Sequence, residues 1–325
     1  MSRAQLTSTV EQNTGGAVSP YVAGKNFLIN GGFDIWQRGT SGLGAGYAAD
    51  RWFLATSTAS QDTTKVATGC QYSMKVTTST TTAVAIYQSI ETANSVALAG
   101  KTVTLSHNLA ASTSTLVYYQ IGYSTSDNVT PTGSFTTINS NSFTATTTMS
   151  AATPLTVAIP STARTVWVNY YTGSLASGVS IFFSGMQLEI GSVATPFSRA
   201  GGTLSGELAA CQRYYWQTAW NTSQATTIMV GGIGTGSTAV AQAYCAHPVT
   251  MRAIPSAALN GTANMVFYNG VGGGATYAIS AITAQGSTTI AGTLNFTTSG
   301  TTANVIYNLL ALTAGNCYIS FSAEL

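Results

Sequence analysis

Short runs in which apolar or β-branched residues alternate with polar ones, each closed by Gly, Ser, Asn or Thr, constrain this chain more than any other feature. A period of two puts successive side chains on opposite faces of a strand, and it does not make the stripe an amphipathic helix needs. Seven such runs lie between Phe27 and Arg199: Cys70 to Thr77, Ala83 to Ile90, Thr102 to Asn108, Leu116 to Ser124, Leu155 to Ile159, Thr165 to Tyr171 and Val179 to Glu189. That number at that spacing predicts a β-sandwich. After the Gly-rich segment Gly201 to Gly206, Glu207 to Gln217 is the one helical pattern, with Ser205 as N-cap and Glu207 in the first turn. Leu208, Cys211 and Tyr215 would form its stripe. Thr226 to Leu325 returns to strands and turns, and residues 1–26 have the look of an extended arm. The expected organisation is therefore all-β: an N-terminal arm (1–26), a β-sandwich (27–199), a hinge and linker helix (200–225) and a C-terminal β-sandwich domain (226–325).

Charge narrows the partners. Only 11 Lys plus Arg and 9 Asp plus Glu occur among 325 residues, 6% against the usual quarter or so. The 53 Thr and 35 Ser supply the water-facing surface instead. A net charge of +2 with no basic cluster is a poor footprint for nucleic acid, and no apolar run is long enough to span a bilayer or to resemble a signal peptide near the N-terminus. Residues 200–325 hold only Arg213, Arg252, Glu207 and Glu324, which predicts self-association through faces rich in Thr, Ser and Ala. Cys70, Cys211, Cys245 and Cys317 lie far apart with no C-x-x-C pair, so free buried thiols are expected rather than a zinc site or a disulfide framework.

Convergent catalytic groups are scarce. His107 and His247 fall in different expected domains, neither G-x-S-x-G nor H-E-x-x-H occurs, and the Gly-rich runs at Gly231 to Gly236 and Gly270 to Gly274 lack the Lys of a phosphate loop. No enzymatic activity is expected. Two strand-like runs carry a better hint. In Leu116 to Tyr123, Val117, Tyr119, Ile121 and Tyr123 make a core face, leaving Leu116, Tyr118 and Gln120 on the other. In Val166 to Tyr171, Trp167, Asn169 and Tyr171 lie opposite Val166, Val168 and Tyr170. Tyr118, Gln120, Trp167, Asn169 and Tyr171 thus interleave rings with amides on a neutral face, which is what carbohydrate recognition uses; the same rings would also serve under a loop or against a second subunit.

The stretch Asn26 to Thr40 (NFLINGGFDIWQRGT), followed by Ala49-Asp50-Arg51-Trp52, resembles the opening of virion proteins of tailed bacteriophages, the tail fibre or minor tail group. Met186 to Phe197 (MQLEIGSVATPF) and Glu207 to Tyr215 (ELAACQRYY) look like the closing strand and linker helix of the same group; His247 to Pro255 and Ala323 to Leu325 are shorter matches. Asn30 to Asp34 is also similar to the first strand of jelly-roll carbohydrate-binding modules that hold a structural calcium. The resemblance implies a jelly-roll sandwich, with no cofactor unless Asp34 and Glu189 contribute to a calcium site; otherwise Asp34 would cap a turn and pair with an Arg such as Arg38. It implies a homotrimeric virion structural protein of tail-fibre type, attaching to a host-surface glycan, with residues 1–26 docking on another virion protein and Leu208, Cys211 and Tyr215 near the threefold axis. A capsid decoration or head fibre protein, and a tail-borne polysaccharide-degrading enzyme using Asp50 or Asp127, are the alternatives.

Overall fold

The computed structural model describes residues 25–218, 226–227, 233–235, 239–260, 265–268, 276–284, 287–298, 301, 306–311 and 318–325; nearly all of the expected arm, and Cys317, lie outside them. The chain divides into two compact units, Met1–Leu208 with Leu325, and Ala209–Glu324. Both are built from antiparallel strands, and the described residues contain two helices, α1 (Thr92–Ser95) and α2 (Leu204–Gln212).

The first unit is a two-sheet sandwich. Sheet one runs in the order β1 (Gly46–Tyr47), β2 (Phe53–Leu54), β5 (Thr82–Ile90), β11 (Thr165–Leu175), β7 (Thr115–Ser124), β8 (Thr136–Ala145). Sheet two runs β10 (Leu155–Ala158), β6 (Thr102–Ala111), β12 (Ser180–Ile190), β4 (Ser73–Thr77), β3 (Thr58–Asp62), with β9 (Ser150–Ala151) also on β6. All seven expected runs are strands. The inward residues of sheet one, Val84, Ile86, Val117, Tyr119, Ile121, Val166, Val168 and Tyr170, and those of sheet two, Met74, Val76, Val103, Leu105, Leu109, Ile181 and Phe183, are fully buried and form one core. In β12 the inward phase switches from Ile181 and Phe183 to Met186 and Leu188, because a bulge between Ser184 and Gln187 inserts a residue against β6. Gly185 absorbs it at φ 62°, a left-handed conformation that costs glycine little.

The two ends of the sandwich are tied by polar side chains from the motifs at its opening and close. Asn26 Nδ2 donates to the Met186 and Ser198 carbonyls, and its Oδ1 accepts from the Leu28 and Leu188 amides. Asn30 Nδ2 donates to the Ile35 and Asp50 carbonyls, while Trp52 Nε1 donates to the Asn30 carbonyl. Glu207 accepts from the Asn30 and Gly201 amides.

The linker helix differs from expectation at both ends. It starts at Leu204 rather than Glu207, and its cap is Thr203, whose Oγ1 accepts from the Gly206 amide at 3.0 Å; Ser205 lies within the first turn. It stops at Gln212, so Tyr215 is not on it. Tyr215–Gln217 instead forms a strand, β13, because the Tyr-Tyr-Trp run finds an edge to pair with in β22 (Tyr318–Ser322).

In the second unit β22 lies between β13 and β17 (Ser256–Asn260). The other sheet runs β14 (Thr226–Thr227), β21 (Ile306–Ala311), β15 (Ile233–Thr235), β16 (Val240–Ala246), β20 (Ala291–Thr298), β19 (Thr276–Ala284), β18 (Met265–Tyr268), and a further β18–β21 pairing closes it on itself. Trp216, Met251, Leu294, Phe296, Ile319 and Phe321 are in its core. Trp216 stacks on Phe321 at 4.8 Å and donates Nε1 to His247 Nδ1 at 3.0 Å.

Candidate functional site

Antiparallel register builds a single row across the outer face of sheet one. Tyr47 lies opposite Phe53, Phe53 opposite Tyr87, Tyr87 opposite Asn169, Asn169 opposite Gln120, and Gln120 opposite Ser140. Strands about 4.8 Å apart make this row about 24 Å long, three rings at one end and three amide or hydroxyl side chains at the other. One row along, Tyr171 lies opposite Tyr118, with their rings stacked at 5.1 Å and 15°. On the other side Trp167 is stacked between Tyr87 (5.8 Å) and Phe135 (5.0 Å). Gly122, directly opposite, leaves room for the indole: a Cβ there would sit 3.0 Å from Trp167 Cε3.

Four strands of this face are neutral, while at the Tyr47 end the Arg38 guanidinium lies 5.4 Å over the ring and the Tyr47 hydroxyl donates to the Leu325 carbonyl. β5, β7, β8 and β11 contain no Asp, Glu, Lys or Arg. The phenol groups of Tyr87, Tyr118 and Tyr171 and the Gln120 amide have no hydrogen-bond partner among the described residues, although these side chains are half-buried. Partial burial raises the Tyr87 phenol above its ordinary value, so it stays a protonated donor. Asn169 is 7% exposed and its Oδ1 has no partner. An unpaired buried carbonyl is costly, and this one is screened from solvent by its neighbours.

All five residues expected from sequence to bind carbohydrate share this face, but they are not equivalent. Trp167 is 7% exposed, covered by Phe135, and anchored by Nε1 to the Pro131 carbonyl at 3.0 Å. Its ring is a floor for Tyr87, whereas Tyr118, Gln120 and Tyr171 stand open beside Asn169. Tyr47, Phe53 and Tyr87 were missed. The outward phase of Tyr87 was readable from Val84 and Ile86, but β1 and β2 are two residues each and carry no period.

The two carboxylates expected to hold calcium are already spent. Asp34 receives Arg199 Nε at 2.7 Å and the second guanidinium nitrogen at 3.1 Å; its partner is thus Arg199, while Arg38 pairs with Asp50 at 3.1 Å. Glu189 accepts from the Thr195 amide at 2.8 Å, from its hydroxyl at 2.6 Å and from Gln187 Nε2 at 2.8 Å, with Lys25 Nζ at 3.8 Å. Among the described residues no three His, Cys, Asp or Glu side chains are grouped as an ion would need. A cation would have to displace an arginine at one carboxylate and a braced loop at the other, so this donor set does not fit calcium.

The remaining candidates are dispersed. Asp50 is buried beneath Arg38 and Gln37, and Asp127 is exposed beside Arg164 at 2.7 Å. His107 is buried in the core, its ring edge-on to Tyr119 and Tyr170, and burial pushes its pKa down to about 3. Cys70, Cys211 and Cys245 form no disulfide among the described residues; burial pushes Cys70 and Cys245 up to about 11, which keeps them protonated and unreactive. Of the expected trimer stripe, Leu208 is exposed, Cys211 is buried and Tyr215 is buried on β13.

No protein-family model matches the chain, and no curated protein matches it. Solved structures that resemble it include a CBM4 module (18% identity, 50% of this chain and 98% of that one, TM-score 0.33). Another is the CBM22-1 xylan-binding domain from Paenibacillus barcinonensis Xyn10C (10% identity, 53% and 98%, TM-score 0.33). A third is the enzymatically active domain of tailspike protein 4 of bacteriophage CBA120 (17% identity, 53% of this chain and 22% of that one, TM-score 0.34).

Proposed function

We propose that the chain is a non-catalytic glycan-binding protein of a bacteriophage virion, of tail-fibre type, which holds a neutral polysaccharide across the outer face of sheet one. The observation that carries the binding site is the register row from Tyr47 through Tyr87 and Asn169 to Gln120, with an unpartnered buried amide oxygen at its middle. Rings take the C–H faces of sugars, amides and phenols take their hydroxyls, and four uncharged strands select against acidic polymers. The non-catalytic reading is supported by the carboxylates: Asp34, Asp50, Asp127, Glu189 and Glu207 are each engaged by protein donors.

The virion assignment rests on the resemblance of the opening and closing motifs, and residues 1–26 are the segment proposed to dock. Assembly as a homotrimer is supported by the second unit, where Val240, Gln242 and Tyr244 of β16 stand opposite Thr297, Asn295 and Thr293 of β20. Val240 and Tyr244 are 37% and 57% exposed on this uncharged face.

Affinity electrophoresis of the full chain through gels loaded with neutral or uronic-acid polysaccharide tests the binding reading. Retardation by a neutral polymer that is lost in Tyr118→Ala/Asn169→Ala supports it; migration unchanged in every neutral polymer, or retardation only in acidic ones, contradicts it. An antibody against the chain applied to intact virions reports whether it sits on the tail or the head.

A further inference from the structure

The opposite side of the sandwich carries a second opening. A cleft of about 330 Å³ lies on the outer side of sheet two, where the β12 bulge parts from β6. Thr68, Ser106, Asn108, Pro154, Thr195 and Phe197 are among the residues that line it. None of its lining residues is charged. Ser106 and Asn108 are half-buried and have no side-chain hydrogen bond among the described residues.

The wall from Ala194 to Phe197 is held rigidly from behind. Glu189, 3% exposed, accepts from both the amide and the hydroxyl of Thr195. Gln187 Nε2 donates to the Thr195 carbonyl at 3.1 Å, Gln187 Oε1 accepts from the Ser198 amide at 2.8 Å, and Lys25 Nζ reaches the Pro196 carbonyl at 3.2 Å. The Thr195 hydroxyl donates to Glu189 and its oxygen accepts from Gln187 Nε2 at 3.3 Å, so both of its roles are spent on bracing the wall. A loop fixed before a ligand arrives is not ordered at the ligand's expense.

We propose that this cleft is a second carbohydrate subsite, which takes one neutral pyranose ring. The Phe197 ring and the Pro154 and Pro196 faces match the C–H face of a sugar, and Ser106, Asn108 and Thr68 match its hydroxyls. The volume is at the small end of ligand pockets and suits a single ring with its substituents rather than a chain. The bulge makes the site, since Gly185 at φ 62° brings a position without a side chain past Asn108, and a Cβ there would lie 3.1 Å from Asn108 Nδ2. With sheet one on the other face, the unit would touch sugar on both sides and cross-link strands of one polysaccharide.

The test is amide-resolved NMR titration of the full chain with methyl glycosides of neutral hexoses at millimolar concentration. Shifts centred on Ser106, Asn108 and Thr195 are expected. They persist in Tyr118→Ala/Asn169→Ala, which removes the sheet-one site, and weaken about tenfold in Asn108→Ala. Asn108→Ala is an exchange at the cleft surface that leaves the core intact, and Phe197→Ala with its thermal midpoint measured alongside gives a second reading. No perturbation at these residues, or perturbation equal in Asn108→Ala and the parent, overturns the subsite whatever sheet one does.

Discussion

Arg199 grips Asp34 with two hydrogen bonds, at 2.7 and 3.1 Å, across 165 residues of chain. The Asp34 side chain is 1% exposed, so the charge is buried, and among the described residues its ion-pair partner is this guanidinium. Breaking one partner of a buried pair costs about 3–5 kcal/mol, and the 22% exposure of Arg199 puts this case at the lower end of that range. Arg199→Met should lower the stability of the first unit by about 3 kcal/mol in urea unfolding. Asp34→Asn in the Arg199→Met background should recover part of that loss, since no uncompensated charge remains; a simple sum of two losses would contradict the pairing.

Acid should loosen the protein from near pH 6.5 downward. Burial lowers the pKa of both His107 and His247, so the unfolded chain takes up their protons first. Their stabilising effect is complete above the unfolded value near 6.5 and is lost as pH falls, for the fully buried His107 at about 1.4 kcal/mol per pH unit until its folded pKa is reached. For His107 that window runs from about 6.5 to about 3. Glu207, whose pKa burial raises, works in the opposite direction around the ordinary carboxylate value. Urea midpoints measured from pH 7 to pH 4 should show the slope, and His107→Gln should flatten it.

Replacing the two open rings should separate binding from folding. Tyr118→Ala and Tyr171→Ala each remove one half of a half-buried surface stack and should weaken glycan binding about tenfold with little change in thermal midpoint. Trp167→Ala removes a ring packed between two others and should cost about 3–5 kcal/mol of stability, so loss of binding in that variant says nothing about direct contact. Calorimetry on all three against a neutral oligosaccharide checks the contrast.

Calcium should leave the first unit unchanged. With Asp34 on Arg199 and Glu189 on Thr195, neither millimolar calcium nor a chelator is expected to move the thermal midpoint. A calcium-dependent rise of several degrees would show that these carboxylates rearrange around an ion.

The edge of sheet one is guarded by its own side chains. On β8, Asn139 Oδ1 accepts from the Ser140 amide at 2.9 Å and Asn141 Oδ1 from the Ser142 amide at 2.8 Å. Asn139→Thr/Asn141→Thr frees two backbone donors on an uncharged ten-residue edge strand, and sedimentation should then show association beyond that of the parent chain.

How much could be read in the sequence follows from where the signal lives. Val117, Tyr119 and Ile121 announce their face because every second residue differs in kind. β8 does not, because Thr136–Ala145 is mostly Thr, Ser and Asn in both phases, and β12 misleads because Gly185 flips its phase midway. The helix was found, but Thr203 rather than Ser205 caps it, and Tyr215 left it for a strand whose partner is more than 100 residues away. Along single strands the rings and amides of the outer face were visible as two separate triplets or pairs. Their joining into one row with Tyr87, Phe53 and Tyr47 is a matter of register between strands, and the Asp34 partner is a matter of closure between the ends of the sandwich; neither leaves a local pattern. The motifs that carry the family resemblance turn out to hold the closure, through Asn26, Asn30, Asp34 and Glu207, with Arg199 between two of them as the Asp34 partner, and not the ring-and-amide face.

The central claim is that neutral sugar lies along the Tyr87–Asn169–Gln120 row, with the Asn169 amide at its middle holding the row's shape. The most direct measurement is a titration calorimetry comparison of the parent chain with Asn169→Ala and Asn169→Leu, using a neutral oligosaccharide that the parent binds. The account predicts that both variants fold with near-parental midpoints, since each removes an unsatisfied buried carbonyl, while affinity falls about tenfold or more. Parental affinity in both variants would contradict it.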